Sequence, residues 1–340
     1  MRLEKIVAPL MVLGGIALGI MGCKSGTETT KDYTAEKTTI TKAADHLVTL
    51  QHSDGGFTWY LPGDANSDPN VSYPNMYGVV GLGLLDAYRT TNDAKYLDAA
   101  QKTADHLLSI ISDNLTATND TTFYASDTEF LAEFGKTVGG DNVYTAKAKT
   151  ITDHFVTQSN YINTSGALTA ALLDIHYRNA TDNNLGLQWR GLAEWMLADW
   201  LRGMQLTGHD SFANDLAGIM KNDMSGTSPY FDINNTSQSA YILGLASELA
   251  ATGDSGAKQK LIAAQKSDGS WEDPNGVVQD TAYAVMALAK TGSMDAASSG
   301  VKSEISSQSA TGAFTEVDGK DYPEVDSEAI QSIYEYMTQP

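Results

Sequence analysis

Cysteine and arginine are scarce in this 340-residue chain. Cys23 is the single cysteine, and only four arginines follow it: Arg89, Arg178, Arg190 and Arg202. A site that holds phosphates or carboxylates through bidentate guanidinium contacts therefore has few candidates. Positively charged residues are also few overall, and the formal net charge of the chain is −20. A field of that sign repels polyanions, so we expect no nucleic-acid partner.

The N-terminus carries an apolar run, residues 6–22, which follows Arg2 and Lys5. This run is short for a membrane span and has the composition of a signal peptide. It ends in "IMGC", which resembles the lipobox of bacterial-type lipoproteins. The resemblance implies a signal peptide at residues 1–22 and a lipid on Cys23. No thiol would then remain for a disulfide, a zinc site or a nucleophile. An ordinary secretory signal and an uncleaved anchor are the alternatives.

The segment after the cysteine is polar and rich in threonine, which predicts a flexible tether at residues 23–34. Hydrophobic residues make up 42% of the chain, enough for a packed core. We therefore expect one folded domain at residues 35–340. With a lipidated cysteine, this domain would lie outside the cytoplasmic membrane and be anchored to it.

The body of the chain repeats a helical hairpin of about 40–50 residues, a period typical of helical arrays. Apolar segments such as "YGVVGLGLLDAY" and "TAYAVMALA" alternate with amphipathic ones such as "AKYLDAAQKTADHLLS". The apolar helices are expected to be buried and the amphipathic ones to face water. Convincing strand alternation is absent. The pattern favours an all-α, closed double ring of about twelve helices, with an open solenoid as the alternative.

Two short segments near the ends of the domain are near copies of each other, "QHSDGGFTW" from Gln51 and "QKSDGSWED" from Gln265. A degenerate third copy, "QSATGAF", begins at Gln308. These segments resemble the Gln-Trp motif of the squalene cyclase and prenyltransferase repeat family, whose fold is the α/α toroid. Their chemistry is local: the glutamine amide can bind free helix carbonyls, and Asp-Gly forms a tight turn. We expect the motif to tie outer helices together and to have no catalytic role.

The best-known activities that the resemblance implies are not supported by the residues present. Triterpene cyclisation in that family uses a "DxDD" acid, and no such run occurs. Protein prenyltransferases use a zinc thiolate, which a lipidated Cys23 cannot supply. The thioester domains that share the toroid use Cys-Gly-Glu-Gln, which is also absent. A fold does not by itself supply a function, so the site has to be argued from other residues.

The inner helices of a toroid begin near one mouth, where their first residues converge on the central cavity. A carboxylate at a helix N-terminus is stabilised as an anion, so we expect Asp280 to act as base or hydroxyl acceptor. Glu194 lies about one turn inside its helix, a drier place that suits a proton donor, and Arg190 would fix a polar group of the substrate. The remaining predicted contacts to the ligand come from Trp189, Tyr283, Tyr77, Asp127 and Tyr241.

Each of these residues also has a plain structural interpretation. Asp127 and Asp280 are good helix N-caps, and the tyrosines are typical core residues with wet hydroxyls. Three histidines in "ADHL" and "TDHF" segments recur at one place in successive outer helices, which favours a structural role for His46, His106 and His154.

Calcium is the one metal ion for which the sequence offers candidates. Alternating acidic and amide side chains occur in "DANSDPN", from Asp64 to Asn70, but the segment fails the EF-hand pattern. A second acidic loop contains Asp318, Asp321, Glu324 and Asp326. We expect no obligatory cofactor, with Ca²⁺ as an option at these loops.

The predicted function is that of an exported, lipid-anchored toroid that binds, and could cleave, a carbohydrate or similarly elongated ligand. Related α-toroids serve polysaccharide lyases and glycosidases, and that likeness of architecture favours a degradative enzyme. A non-catalytic surface module that binds a ligand or a protein is the first alternative. A terpenoid cyclase-like or prenyltransferase-like enzyme without the usual acid and zinc motifs is the second.

Overall fold

The computed structural model describes residues 31–58, 70–115, 123–157, 190–222, 231–238, 240–273 and 276–340. Within these residues twelve α-helices alternate with turns. They are α1 Thr34–Leu50, α2 Tyr77–Thr91, α3 Ala94–Ile110, α4 Ala125–Val138, α5 Val143–Thr157, α6 Arg190–Leu206, α7 Asp210–Asn222, α8 Tyr241–Thr252, α9 Ser255–Ala264, α10 Val278–Lys290, α11 Met294–Ser307 and α12 Pro323–Thr338. A short 3₁₀ turn at Pro74–Met76 precedes α2. These described segments contain isolated β-bridges but no strand. The helices belong to one compact unit, Tyr33–Pro340.

Six helices form an inner ring: α2, α4, α6, α8, α10 and α12. Each packs against the next, and α12 packs back against α2, so the ring is closed. The other six helices lie outside it. The predicted closed double ring is therefore confirmed, and the open solenoid is wrong. A closed ring leaves no terminal repeat whose apolar face would need polar capping.

Burial separates the two rings as the apolar pattern predicts. In the inner helix α2 every residue from Tyr77 to Ala87 is buried. In the outer helix α3 the buried residues recur along one stripe, at Tyr96, Ala99, Ala100, Thr103, Ala104 and Leu107.

Glycines in helix α2 allow its neighbours to approach closely. A Cβ at Gly78 would lie 2.3 Å from the Ser126 carbonyl carbon of α4, and one at Gly83 would lie 2.2 Å from Ser327 Oγ of α12.

The Gln-Trp motif joins neighbouring outer helices at three places around the ring. Gln265 Nε2 donates to the carbonyl of Gly269 in its own turn and to that of Ala296 in α11, both at 2.9 Å. Gly269 has φ +91°, and a Cβ there would lie 2.2 Å from the Ser299 carbonyl oxygen, so only glycine fits. Trp271 is fully buried and donates from Nε1 to the carbonyl of Leu261. The structural role predicted for the motif agrees with these contacts, although the carbonyls bound lie in the turn and the neighbouring helix.

The copies at Gln51 and Gln308 repeat this geometry. Gln51 Nε2 donates to the carbonyl of Ala99 at 2.8 Å, and Gln308 Nε2 donates to that of Thr39 at 2.9 Å. The second bond runs from the last outer helix, α11, to the first, α1, and therefore closes the outer ring. We call this junction between the first and last helices the seam. The rings of Tyr33 and Tyr336 also meet there in a T-shaped, edge-to-face contact, with centroids 5.9 Å apart.

Among the described helices, none is both long and apolar enough to cross a membrane.

Candidate functional site

All six inner helices contribute side chains to a central cavity of about 670 Å³. Its wall is unusually polar for the centre of a helical ring. Besides Trp195, Tyr283 and Tyr334, it includes eight residues of ionisable type: Asp86, Arg89, Glu129, Glu133, Asp199, Arg202, Lys290 and Glu335. The cavity lies along the middle and C-terminal parts of the inner helices. The sequence had directed attention to their N-terminal ends.

A hydrogen-bonded chain crosses one side of this cavity. Trp195 Nε1 on α6 donates to the Tyr283 hydroxyl on α10 at 2.6 Å, and that hydroxyl donates to Glu328 Oε1 on α12 at 2.9 Å. Gln279 Nε2 also donates to both Glu328 oxygens, at 3.1 and 3.0 Å. Glu328 is fully buried, and burial together with nearby Glu324 raises the pKa of its carboxyl well above the usual range. Tyr283 therefore separates the cavity from a carboxyl that can hold or accept a proton.

Asp199 extends this group of acids into the cavity wall. Burial raises the pKa of Asp199 well above its ordinary value, and the nearby carboxyls of Glu129 and Glu324 raise it further. Burial also raises the pKa of Glu324 to about 7. Like charges that share a dry site cannot all ionise, so some of these carboxyls retain protons near neutral pH. Such a carboxyl can donate a proton to a ligand.

An ion-pair network forms the part of the wall to which α2, α4 and α6 contribute. Arg89 donates to Asp86 Oδ1 at 2.9 Å and to Glu133 Oε2 at 2.7 Å. Arg202 donates to Glu129 Oε1 and to Glu133 Oε1, both at 3.2 Å. Two of the chain's few arginines are thus held by carboxylates across α2, α4 and α6. They fix the shape of the wall and present a charged, hydrated face to any ligand.

Among the predicted ligand contacts whose side chains the structure describes, Tyr283 is the one that lies in the wall of this cavity. Asp280, predicted to be an anionic base, lies elsewhere: it is 4% exposed, and its Oδ2 accepts a hydrogen bond from the Asp273 backbone N–H at 2.8 Å. Burial raises the pKa of Asp280 well above its usual range, and the charge of Asp273 adds to the rise. Desolvation thus acts against the anionic form that the helix N-terminus was expected to favour, and the role of Asp280 as a base stays a prediction.

Three further predicted contacts also lie outside the described cavity wall. Asp127 Oδ2 accepts from the Tyr124 backbone N–H at 2.8 Å, and burial raises the pKa of Asp127 to about 7. The ring of Tyr77 packs on that of His106, with centroids 4.7 Å apart. Burial raises the pKa of the Tyr77 hydroxyl to about 12. Tyr241 donates its hydroxyl hydrogen to the Ile233 carbonyl. These contacts hold turns and helices together, as the structural interpretation proposed for them expects.

Glu194 is fully buried one turn inside α6, as predicted for the proton donor. Trp189 and Cys23 lie outside the described residues, as do Asp64, Asn66 and Asp68 of the first acidic loop. Arg190 begins α6, but its side chain is not among those described. The pairing of Asp280 with Glu194 and the roles of Arg190 and Trp189 stay predictions.

Sequence reasoning placed Glu129 among the residues that converge on the cavity but missed Asp86, Glu133, Asp199 and Arg202. A signal for them exists in the spacing of the inner helices. Trp195, Asp199 and Arg202 stand at i, i+4 and i+7 of α6, which places them on one face. Glu129 and Glu133 of α4 have the same i, i+4 relation. A polar stripe on an otherwise buried helix indicates a wet interior surface, and this is the surface that lines the cavity.

No family model matches the chain, and no curated protein matches it. Solved structures do. A variant of the type II terpene cyclase MstE from Scytonema, bound to its substrate geranylgeranyl dihydroxybenzoate, is 13% identical with a TM-score of 0.57, over 89% of this chain and 97% of the cyclase chain. A polysaccharide lyase is 11% identical with a TM-score of 0.57, over 89% and 96% of the two chains.

The unsaturated glucuronyl hydrolase of Bacillus sp. GL1, responsible for degradation of glycosaminoglycan, is 13% identical. Its TM-score is 0.56, and the match covers 89% of this chain and 96% of the hydrolase. Identities this low show the fold alone. The chain is thus an α/α toroid, in a fold shared by terpene cyclases and by enzymes that degrade polysaccharides.

Proposed function

We propose that this protein is exported and lipid-anchored, binds a carbohydrate or similarly elongated ligand in its central cavity, and cleaves it by acid–base chemistry. The observation that carries the proposal is the cavity wall. It combines aromatic rings, partly exposed arginine–carboxylate pairs and carboxyls with raised pKa values around one cavity. Rings stack on the C–H faces of sugars, and polar groups bind their hydroxyls.

The charged wall favours a sugar over an isoprenoid. A hydrocarbon chain placed against Asp199, Arg202 and Glu133 would strip water from charged groups and offer no hydrogen bonds in return. A sugar hydroxyl that displaces this water forms a comparable hydrogen bond with the charged group. The likeness of the fold to that of terpene cyclases supports a cavity large enough for an elongated ligand. The polarity of this wall supports a hydroxylated one.

The proposed chemistry uses the acids on the α6, α10 and α12 side of the cavity. Asp199 retains its proton and donates it to the leaving oxygen of the scissile bond. As the scissile C–O bond breaks, a water adds to the anomeric carbon, and Tyr283, which contacts the ligand, passes the proton of that water to Glu328. Gln279, which donates to both Glu328 oxygens, fixes the orientation of that carboxyl.

Screening on a glycan array, with a panel of lipids and isoprenoids in parallel, tests the ligand class. Binding of glycans alone supports the proposal, whereas binding of isoprenoids alone would overturn it. For a bound glycan, Asp199→Asn and Tyr283→Phe are expected to lower kcat by about 10²–10⁴-fold, the usual contribution of one proton-transfer group.

Glu304→Gln is the matched control for these variants. Glu304 is a buried carboxyl on the outer helix α11, hydrogen-bonded by Ser332 Oγ at 2.8 Å and remote from the cavity wall. Its replacement should leave turnover unchanged. Glycan binding without any turnover in the wild-type protein would make it a binding module and contradict cleavage.

The lipid anchor is a separate part of the proposal and rests on the sequence "IMGC". Cys23→Ser is expected to abolish lipid attachment and move the protein from the membrane fraction to the soluble fraction. Unchanged partitioning and processing would show that the anchor does not exist.

A further inference from the structure

A cluster of metal-ligand type lies at the seam, apart from the cavity. It joins His46 of α1 to two carboxylates near the start of α12. His46 Nε2 lies 2.6 Å from Asp321 Oδ2 and 3.8 Å from Asp326 Oδ2. One ligand atom from each residue falls within 4.8 Å of the others. Sequence spacing had placed His46 in a structural role and had placed the two aspartates in a loose acidic loop.

Asp326 is the observation that points to a ligand. Its side chain is fully buried, and Oδ1 accepts a hydrogen bond from the Phe314 backbone N–H at 2.6 Å. Its other oxygen, Oδ2, is buried without a hydrogen-bond partner and faces His46. A buried carboxylate oxygen with no partner carries a large desolvation penalty. Either a proton or a cation between these groups would relieve it.

The donor set discriminates between cations. Ca²⁺ and Mg²⁺ take oxygen ligands, whereas imidazole suits Zn²⁺ and other transition metals. One imidazole and two carboxylates are three ligands, to which a water adds the fourth position of a tetrahedral Zn²⁺ site. Bonds of about 2.0–2.2 Å place ligand atoms about 3.3–3.6 Å apart. His46 and Asp321 would therefore separate slightly, and Asp326 would move closer to His46.

The site is also reachable. The Asp321 side chain is 35% exposed and that of His46 is 16% exposed, so an ion can enter from solvent past the loop. The fully buried Asp326 forms the base of the site.

We propose that His46, Asp321 and Asp326 form a binding site for one divalent transition-metal ion, with Zn²⁺ as the ion that best fits their chemistry. The ion joins residues 275 positions apart in the sequence. It binds the first outer helix to the loop that leads into the last inner helix. Metal affinity at such a place adds directly to folding stability, because the unfolded chain does not hold the three ligands together.

Titration of the EDTA-treated and dialysed full-length protein with ZnCl₂, by calorimetry and by thermal unfolding, tests the site. We expect one equivalent of Zn²⁺ to bind and to raise the Tm. His46→Gln and Asp321→Asn should each weaken binding by at least about tenfold. His209→Gln is the matched control, because His209 pairs with a single carboxylate, Asp153, at 2.8 Å; it should bind Zn²⁺ as the wild type does.

Three results would overturn the proposal. They are the absence of saturable Zn²⁺ binding, equal affinity in His46→Gln, and a Tm that rises with CaCl₂ but not with ZnCl₂. If no saturable Zn²⁺ binding is found, the carboxyls of Asp321 and Asp326 share a proton instead of a metal ion. Should His46→Gln fail to fold, Asp321→Asn and the wild-type stoichiometry decide the question alone.

Discussion

At the scale of single residues, Trp271 shows how the repeat motif stabilises the ring. Its ring is fully buried between outer helices, and its indole N–H binds the Leu261 carbonyl at 2.6 Å. The equivalent positions in the other two copies are Phe57 and Phe314, both fully buried. All three copies therefore place a large aromatic ring at this position, and the copy with Trp271 adds a hydrogen bond from its indole N–H.

Trp271→Ala is expected to lower the free energy of unfolding by about 3–5 kcal/mol, because it leaves a large cavity. Trp271→Phe keeps a large ring but loses the hydrogen bond to the Leu261 carbonyl. In addition to the cost of the smaller ring, it should therefore lower the free energy of unfolding by only about 1 kcal/mol, the value of one hydrogen bond. Urea unfolding measures both. Ligand affinity per folded molecule should stay unchanged in each variant, and weaker binding with an unchanged Tm would contradict the structural role.

At the scale of helices, α2 determines how closely its neighbours pack. Gly83 faces α12, and an added Cβ would meet Ser327 Oγ at 2.2 Å and the Ser327 backbone at 2.9 Å. Gly83→Ala is expected to lower the free energy of unfolding by about 1–3 kcal/mol through overpacking, despite the better helix propensity of alanine.

Gly218→Ala on the outer helix α7 is the matched control for this prediction. A Cβ there meets nothing within 4 Å, so the same substitution should stabilise the protein by about 1 kcal/mol. Thermal unfolding of the two variants measures the difference. Equal effects would show that the approach of α2 to α12 is not tight.

The same scale explains which features the sequence could predict. The ring architecture follows from local patterns, since Gln265, Gly269 and Trp271 stand within seven residues and their spacing alone indicates the contact between outer helices. The cavity wall depends on how each inner helix is rotated about its own axis. That rotation is set by packing against two neighbours, so Asp199 and Arg202 could be assigned to a polar stripe but not to a partner.

Long-range caps were beyond prediction for the same reason. Glu316, on the loop before α12, accepts hydrogen bonds from the backbone N–H groups of Val277 and Gln279 at the start of α10. It satisfies helix-terminal donors nearly forty residues away. No local signal in the sequence indicates such a bond, because the cap and the helix belong to different hairpins.

At the scale of the whole molecule, buried carboxyls set the response to pH. Burial raises the pKa of Asp127 and of Asp86 to about 7, and it raises the pKa of Glu304 well above the ordinary glutamate value. The folded state then binds more protons than the unfolded state between about pH 4 and pH 7. Stability from these groups is fully present below their unfolded pKa values and is lost as pH rises through the folded ones.

We therefore expect the free energy of unfolding to fall between about pH 4 and pH 7, with the net charge of −20 adding in the same direction. Each such group contributes a slope of up to about 1.4 kcal/mol per pH unit. Glu304→Gln removes one titrating carboxyl and should flatten the curve. Urea unfolding at several pH values is the measurement, and stability that increases with pH would contradict the assignment.

The closed seam has a consequence for the synthesis of the chain. Helix α2 is made early, yet one of its two inner-ring neighbours, α12, comes last in chain order among the described helices. Until α12 emerges, that apolar side of α2 has no native partner, and the bond from Gln308 to Thr39 cannot form. Closing contacts over such a separation is slow, and the open chain exposes apolar surface in the meantime. The ring can therefore close only once the last hairpin is present.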